Sequence, residues 1–255
     1  MIKKILSIAY YTLIENIRNK IFYVIVFFGI VVLASSFLLS VLGGEQSKRI
    51  LLDIGLNAIE FFSLITMCFA AVNLILEEME SKTIYLILTR PVAKGVYLMG
   101  RYLGLIIAVG CGILIMSVFH LIILHFNGWI FTIKYPLAIL LSFEKIIIIG
   151  ALALFFSLLS TSAISSISFT ISFWILGHFS EELKFLGNKA TFIHTKILAK
   201  IMYYMTPNLQ YFNLKDFWDV PAIASMWICT AIIYGLIYSA FCMLLSLWLL
   251  KYKEF

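Results

Sequence analysis

Three polar residues set into an otherwise apolar stretch carry the strongest chemical signal in this sequence. Asp53, Asn57 and Glu60 stand at i, i+4 and i+7, so a helix puts them on one face. At about 1.5 Å per residue, Glu60 lies about 10 Å along the axis from Asp53. An ionised carboxylate near the middle of a bilayer costs about 2.5–3.5 kcal/mol on insertion scales, so it belongs against a water-filled path or a polar partner rather than against lipid. Two readings follow: a face lining a translocation pathway, or one hydrogen-bonded to a neighbouring helix. A second cluster, Ser162, Ser165, Ser166, Ser168, Thr170 and Ser172, offers hydroxyls that either wet the wall of such a path or let helices approach closely. The candidate pathway residues are therefore Asp53, Asn57, Glu60, Ser165, Ser166 and Ser172.

Patterns for covalent or metal chemistry are missing from the sequence. It holds no G-x-S-x-G, no H-E-x-x-H and no repeated Asp cluster, the arrangements that supply a nucleophile with its base or an activated metal-bound water. His120, His125, His178 and His194 lack short ligand spacing, and Cys68, Cys111, Cys229 and Cys242 fall in apolar stretches without CxxC spacing, as small buried hydrophobes do. No metal and no cofactor is expected in this chain. A six-span intramembrane enzyme stays as the rival from another class, without residues to assign to it. With no G-x-x-x-x-G-K-[ST] either, any ATP-driven work must come from a partner.

The elements that must position these residues are membrane helices. Hydrophobic residues make up 63% of the chain and charged ones 13%, with a mean hydropathy of +1.05, whereas soluble domains are roughly 45–50% apolar. Taking roughly 20 apolar residues per crossing, the sequence predicts spans over residues 21–42, 54–76, 96–123, 137–159, 164–178 with its flanks, and 222–250. Between 136 and 178 the charged residues are Glu144 and Lys145, read as a local pair. A hairpin break is expected at Ser160-Thr161-Ser162, where hydroxyls can satisfy freed backbone groups. Gly100, Gly104, Ala108 and Gly112, four residues apart, read as a packing face. The net charge of +6 is explained by Lys and Arg flanking the spans, so no nucleic-acid partner is expected.

Three polar segments punctuate the spans. Residues 1–20 read as an interfacial helix, with Ile5, Ile8, Ala9, Leu13 and Ile17 recurring beside Lys3, Lys4, Glu15 and Arg18. Met1-Ile2-Lys3-Lys4 faintly suggests a signal peptide, but charges from Glu15 to Lys20 interrupt it, so the N-terminus is expected to be retained. Residues 179–221 form an outer segment whose apolar face, Phe192, Ile193, Ile197, Leu198, Ile201 and Met202, predicts an amphipathic or re-entrant helix. Residues 77–94 form a short charged block, too polar to cross. Within it a helix is predicted from about Glu78 to Thr89, acidic at its start, with Arg90 near its end and Pro91 as the stop. Periodicity alone allows this helix to be a plain connector. Pairs of bases close to the span ends, Lys3/Lys4, Arg18/Lys20, Lys94/Arg101 and Lys251/Lys253, place both termini in the cytoplasm.

The charged block also carries a family resemblance. Glu78-Met79-Glu80-Ser81-Lys82-Thr83-Ile84, Leu88-Thr89-Arg90-Pro91-Val92-Ala93-Lys94 and Gly100-Arg101-Tyr102-Leu103-Gly104 resemble the E-x-E-x-x-T, L-x-[RK]-P-[VI]-x-[RK] and G-[KR]-x-x-G pattern of ABC-2-type transporter permeases. Glu15-Asn16-Ile17-Arg18-Asn19-Lys20 before the first span and Pro207-Asn208-Leu209-Gln210-Tyr211-Phe212-Asn213-Leu214 in the outer segment extend it over the chain. Lys82 stands where the pattern often has Gly. The resemblance implies an all-α integral membrane protein: a single permease domain over 1–255 with six transmembrane helices, the interfacial helix, a cytoplasmic coupling helix between spans two and three, and the outer helical segment between spans five and six. It also implies a non-enzymatic subunit in a prokaryotic cytoplasmic (inner) membrane, an exporter working as a homo- or heterodimer. ATP and Mg would be bound by separate cytoplasmic ATPase subunits, with Glu78, Glu80, Thr83, Arg90, Pro91 and Lys94 as the coupling residues and spans two and five beside the pathway. Beyond the bilayer itself, a periplasmic or extracellular partner is compatible with it. The rival within this resemblance is a permease-like scaffold that transmits ATPase work to an outer partner without moving substrate.

Overall fold

A computed structural model describes residues 2–41, 44–80, 93–217 and 225–252. Helices account for almost all of them, and no strand occurs among the described residues. In chain order the helices are α1 (Ile2–Arg18), α2 (Lys20–Val41), α3 (Ser47–Glu80), α4 (Lys94–Phe126), α5 (Lys134–Leu159), α6 (Ala163–His178), α7 (Ser180–Lys189), α8 (Ile193–Met205) and α9 (Ser225–Tyr252), with short 3-10 turns at Gly44–Gln46, Leu209–Phe212 and Leu214–Phe217. By length and apolarity α3, α4, α5 and α9 can each cross a membrane; two bent pairs, α1 with α2 and α6 with α7, bring the number to as many as six. The fold is that of a multi-pass helical membrane protein.

The expected spans and the helices differ in two places. The fifth span is short: α6 has 16 residues, about 24 Å of helix against a hydrocarbon core of about 30 Å, and it turns by 69° into α7. The second is long, because α3 runs unbroken for 34 residues through Glu77, Glu78 and Glu80. The acids expected to open a separate helix therefore close α3, at the end of a helix where the dipole disfavours them. Arg101 of α4 offsets this by pairing with Glu78. The remainder of that expected helix, with Thr83, Arg90 and Pro91, lies outside the described residues.

The core is built on α3 and α5, the most buried of the spanning helices. They interlock through small residues: a Cβ added at Gly150 of α5 would stand 2.8 Å from the Met67 methyl of α3. Gly55 of α3 is needed more strictly, since a Cβ there would fall 2.0 Å from Nε2 of His120. That buried imidazole lies 3.0 Å from the Tyr135 hydroxyl and 3.3 Å from the Leu51 carbonyl. The glycine stripe of α4 packs against neighbouring helices. A Cβ at Gly100 would meet Ile8 at 2.7 Å and one at Gly104 would meet Thr12 at 2.5 Å, both on α1, while Gly112 faces Phe22 and Val26 of α2. α1 accordingly buries Ala9, Thr12 and Asn16, one side of an amphipathic helix.

Between α5 and α6 the chain reverses at Ser160–Ser162, where hydroxyls serve the opened backbone. The Phe156 carbonyl accepts from both the Ser160 amide, at 2.9 Å, and the Ser166 hydroxyl, at 3.2 Å. Beyond α6, α7 and α8 form a hairpin. Most of α8's apolar side chains are exposed, and Ala199 is its buried residue. The chain then re-enters the body of the protein. Leu209, Phe212 and Leu214 are buried, and Gly177 lets the strand of backbone at Pro207 pass, since a Cβ there would be 2.7 Å from the Pro207 carbonyl. This return is what brings Asn213 and Lys215 back to α3.

Candidate functional site

Glu60 is the centre of a buried ionic cluster. Its side chain is 5% exposed and shared by two ammonium groups: Lys145 Nζ of α5 lies 2.8 Å from Oε1 and Lys215 Nζ, from the re-entering segment, 2.7 Å from Oε2. Lys145, fully buried, also donates to Asn213 Oδ1 at 2.8 Å, and Lys215 donates to Asn57 Oδ1 at 2.7 Å. His178, the last residue of α6, brings Nε2 to 3.3 Å from both Glu60 and Lys145. Its Nδ1 is 2.9 Å from the Trp174 carbonyl, which can only accept. Nδ1 therefore carries a proton and donates it to that carbonyl, leaving Nε2 to face Glu60 and Lys145. A turn away, Arg49 pairs with Asp53 at 2.8 Å and donates through Nη2 to the Lys215 carbonyl at 2.9 Å.

Three segments distant in sequence, α5, α6 and the re-entering one, are thereby fastened to one face of α3. A lone charge in an apolar interior is costly, and pairing of Glu60 with Lys145 across two core helices resolves two such charges at once. Sequence reasoning missed Lys145, His178, Asn213 and Lys215. The sequence alone reads Lys145 as the partner of Glu144, its chain neighbour. Successive residues point about 100° apart on a helix, and Glu144 is directed to α9, with Oε2 3.2 Å from where a Cβ on Gly235 would stand. The available signal was the presence of one carboxylate and one ammonium, each deep in an apolar stretch.

The cluster forms one end of a cleft of about 780 Å³ among α2, α3, α6 and the re-entering segment. Asp53, Asn57 and Glu60 all line it, on the single face expected of their spacing. Ser165, Ser166 and Ser172 do not. Ser166 is buried and bonds the Phe156 and Ser162 carbonyls; Ser165 bonds Ser160 and the Ser162 carbonyl, and exposed Ser172 bonds the Ser168 carbonyl. Their hydroxyls serve backbone at the α5–α6 reversal and along α6.

A second ionic group sits at the opposite end of α3. Arg101 pairs with Glu78 of α3 and with Glu15 of α1 at 2.5 Å, and donates to Thr12 Oγ1 at 3.1 Å. Its guanidinium lies 5.7 Å from the centre of the Tyr97 ring. Lys94, the first residue of α4, donates to the Leu250 carbonyl near the end of α9 at 2.9 Å, a cation placed where the helix dipole favours one. Of the expected coupling residues, Glu78 and Lys94 are thus fixed at this end, and Glu80 closes α3 beside them. In comparisons with known proteins the chain matches no family model, and no curated protein matches it.

Proposed function

We propose that the chain is the membrane subunit of an ATP-driven permease of the ABC-2 type, an exporter that forms its pathway as a dimer and takes energy from separate cytoplasmic ATPase subunits. One observation carries the reading. Glu15, Glu78 and Arg101 come from three of the separated segments that hold the resemblance, and they meet in a single ionic group at the end of α3. A force applied to the connection between α3 and α4 would therefore reach α1, α3 and α4 together, and α3 carries the cleft at its other end. ATP binding would act by favouring one arrangement of these helices over another through differential contacts at that connection.

In this reading the end bearing α1, Arg101 and the last turn of α9 faces the cytoplasm. Lys3, Lys4, Arg18, Lys94 and Lys251 gather there, as the positive-inside rule asks. The cleft, bordered by α3 and α6, is half of a pathway that a second permease subunit completes. The test is co-purification with the cognate ATPase followed by transport and ATPase assays. Glu80→Ala with Arg90→Ala should abolish transport while leaving the complex folded; normal transport by that variant would remove the coupling assignment. A Glu60→Gln variant that keeps ATPase activity but loses transport favours a pathway over a scaffold acting on an outer partner.

A further inference from the structure

Away from the cleft, α5 carries a second acid at membrane depth. Glu144 stands about 15 Å of helix from Lys134 and about 22 Å from Leu159, near the middle of a hydrocarbon core of about 30 Å. The residue is 8% exposed, and its Oε2 is buried with no hydrogen-bond partner among the described residues. Gly235 of α9 and the Phe212 ring close over that oxygen, since a Cβ on Gly235 would stand 3.2 Å from each. The space between them is too tight for a methyl group.

The polar groups around Glu144 are engaged elsewhere. Lys145, next in the chain, points about 100° away and donates to Glu60 and Asn213. Lys215 of the re-entering segment donates to Asn57 and Glu60, and His178 of α6 turns Nε2 to Glu60 and Lys145. Tyr102 of α4 lies within electrostatic reach of Glu144, but its hydroxyl donates to the Ile147 carbonyl at 2.8 Å. On α9, Tyr238 donates to the Met205 carbonyl and Ser239 to the Leu236 carbonyl, each at 3.0 Å. Tyr234 accepts from the Asn208 amide at 2.8 Å, and buried Cys242 completes the titratable groups on this stretch of α9. Residues 216–224, which lead into α9, include no Lys, Arg or His. An unpaired carboxylate is costly in such a place, and a bound proton removes the cost.

We propose that Glu144 is a proton-binding site at the α5–α9 junction, filled while the two helices pack and emptied when they part and admit water. The step is a proton transfer alone: the carboxyl O–H bond breaks, its electron pair stays on the carboxylate, and the proton goes to the entering water. The site belongs to this chain's own helices and stands apart from the permease reading. Infrared difference spectroscopy on the full chain in nanodiscs, wild type against Glu144→Gln at neutral pH, is the first test. The variant should lose one carboxylic-acid carbonyl band; loss of a carboxylate band instead overturns the proposal. Thermal unfolding gives a second readout. An unfolded chain releases this proton above about pH 4.3 while the packed chain keeps it, so the unfolded state binds fewer protons and wild-type stability falls as pH rises. Relative to Glu144→Gln, the unfolding equilibrium should shift about tenfold per pH unit between about pH 5 and 7. Glu144→Met takes the place of Gln if that variant does not fold. Parallel curves for wild type and variant overturn the site. So does a wild-type midpoint that rises with sodium concentration while the variant's does not, which would put a metal cation in the proton's place. The parting of the helices is read at buried Ser239, as Ser239→Cys in a cysteine-free background. At alkaline pH N-ethylmaleimide should label it several-fold faster with Glu144 present than with Glu144→Gln, and equal rates overturn the opening.

Discussion

At the scale of single residues, the behaviour of this protein turns on how Glu60 is neutralised. A carboxylate shared by two ammonium groups keeps one partner when the other is lost, so each loss is felt through the hydrogen bonds it leaves unmade. Lys145→Ala should destabilise the chain by about 1–3 kcal/mol, since Glu60 keeps Lys215 but buried Glu60 Oε1 and Asn213 Oδ1 lose a donor, read as a lowered unfolding midpoint in detergent. The triple variant Glu60→Met, Lys145→Met and Lys215→Met should recover most of that loss, since removing the three charges together leaves none of them to solvate. A triple variant no more stable than Lys145→Ala would mean that these charges are not what sets the stability at this junction of α3 and α5. Arg101→Ala should act differently. Glu15 is more than half exposed, so water solvates it, and the stability loss should come mainly from buried Glu78. The spacing of Asp53, Asn57 and Glu60 was readable as one face, and that face lines the cleft. Lys215 and His178 were not readable, since neither has a periodic or motif signal and each reaches Glu60 only through a chain reversal.

At the scale of elements, close helix approach sets the frame. Gly55 gives the sharpest case: any side chain there must displace His120 from its place between Leu51 and Tyr135. Gly55→Ala should therefore cost about 1–3 kcal/mol by overpacking, and pairing it with His120→Ala should relieve much of the loss, which thermal unfolding of the single and double variants can measure. Gly104→Val should lift α1 from α4, against Thr12 and the Ala9 carbonyl. Its signature would be faster proteolysis of the α1 segment with the remaining helices still protected. The four-residue glycine spacing announced a packing face but not the neighbour; α1 and α2 share it. The serines of α6 illustrate the converse. Their composition fitted a wet wall, yet a hydroxyl within reach of the i−4 carbonyl bonds there, and the Ser166 and Ser172 hydroxyls do so.

At the scale of the whole molecule, the described helices divide their connections between two ends. The α4–α5 turn at Asn127–Gly128 and the start of α3 share one end, joined by Lys48 donating to the Gly128 carbonyl at 3.0 Å, and Glu77 and Lys94 share the other. In a cysteine-free background, a cysteine at Asn127 and one at Glu77 should be labelled by impermeant maleimide from opposite sides of a sealed vesicle. Labelling of both from one side would rule out the crossing by α4 that separates them. The sequence by itself determined that this is a helical membrane protein, where most of its crossings lie, and that α3 carries a polar face, because hydropathy and helical period are local properties of consecutive residues. Only the tertiary structure decided that Glu60 is matched from α5 and from a segment more than 150 residues away, that Arg101 gathers Glu15 and Glu78, and that a cleft opens between α2 and α6. Buried charges select their partners by proximity in three dimensions, and that proximity is set by the packing of whole helices.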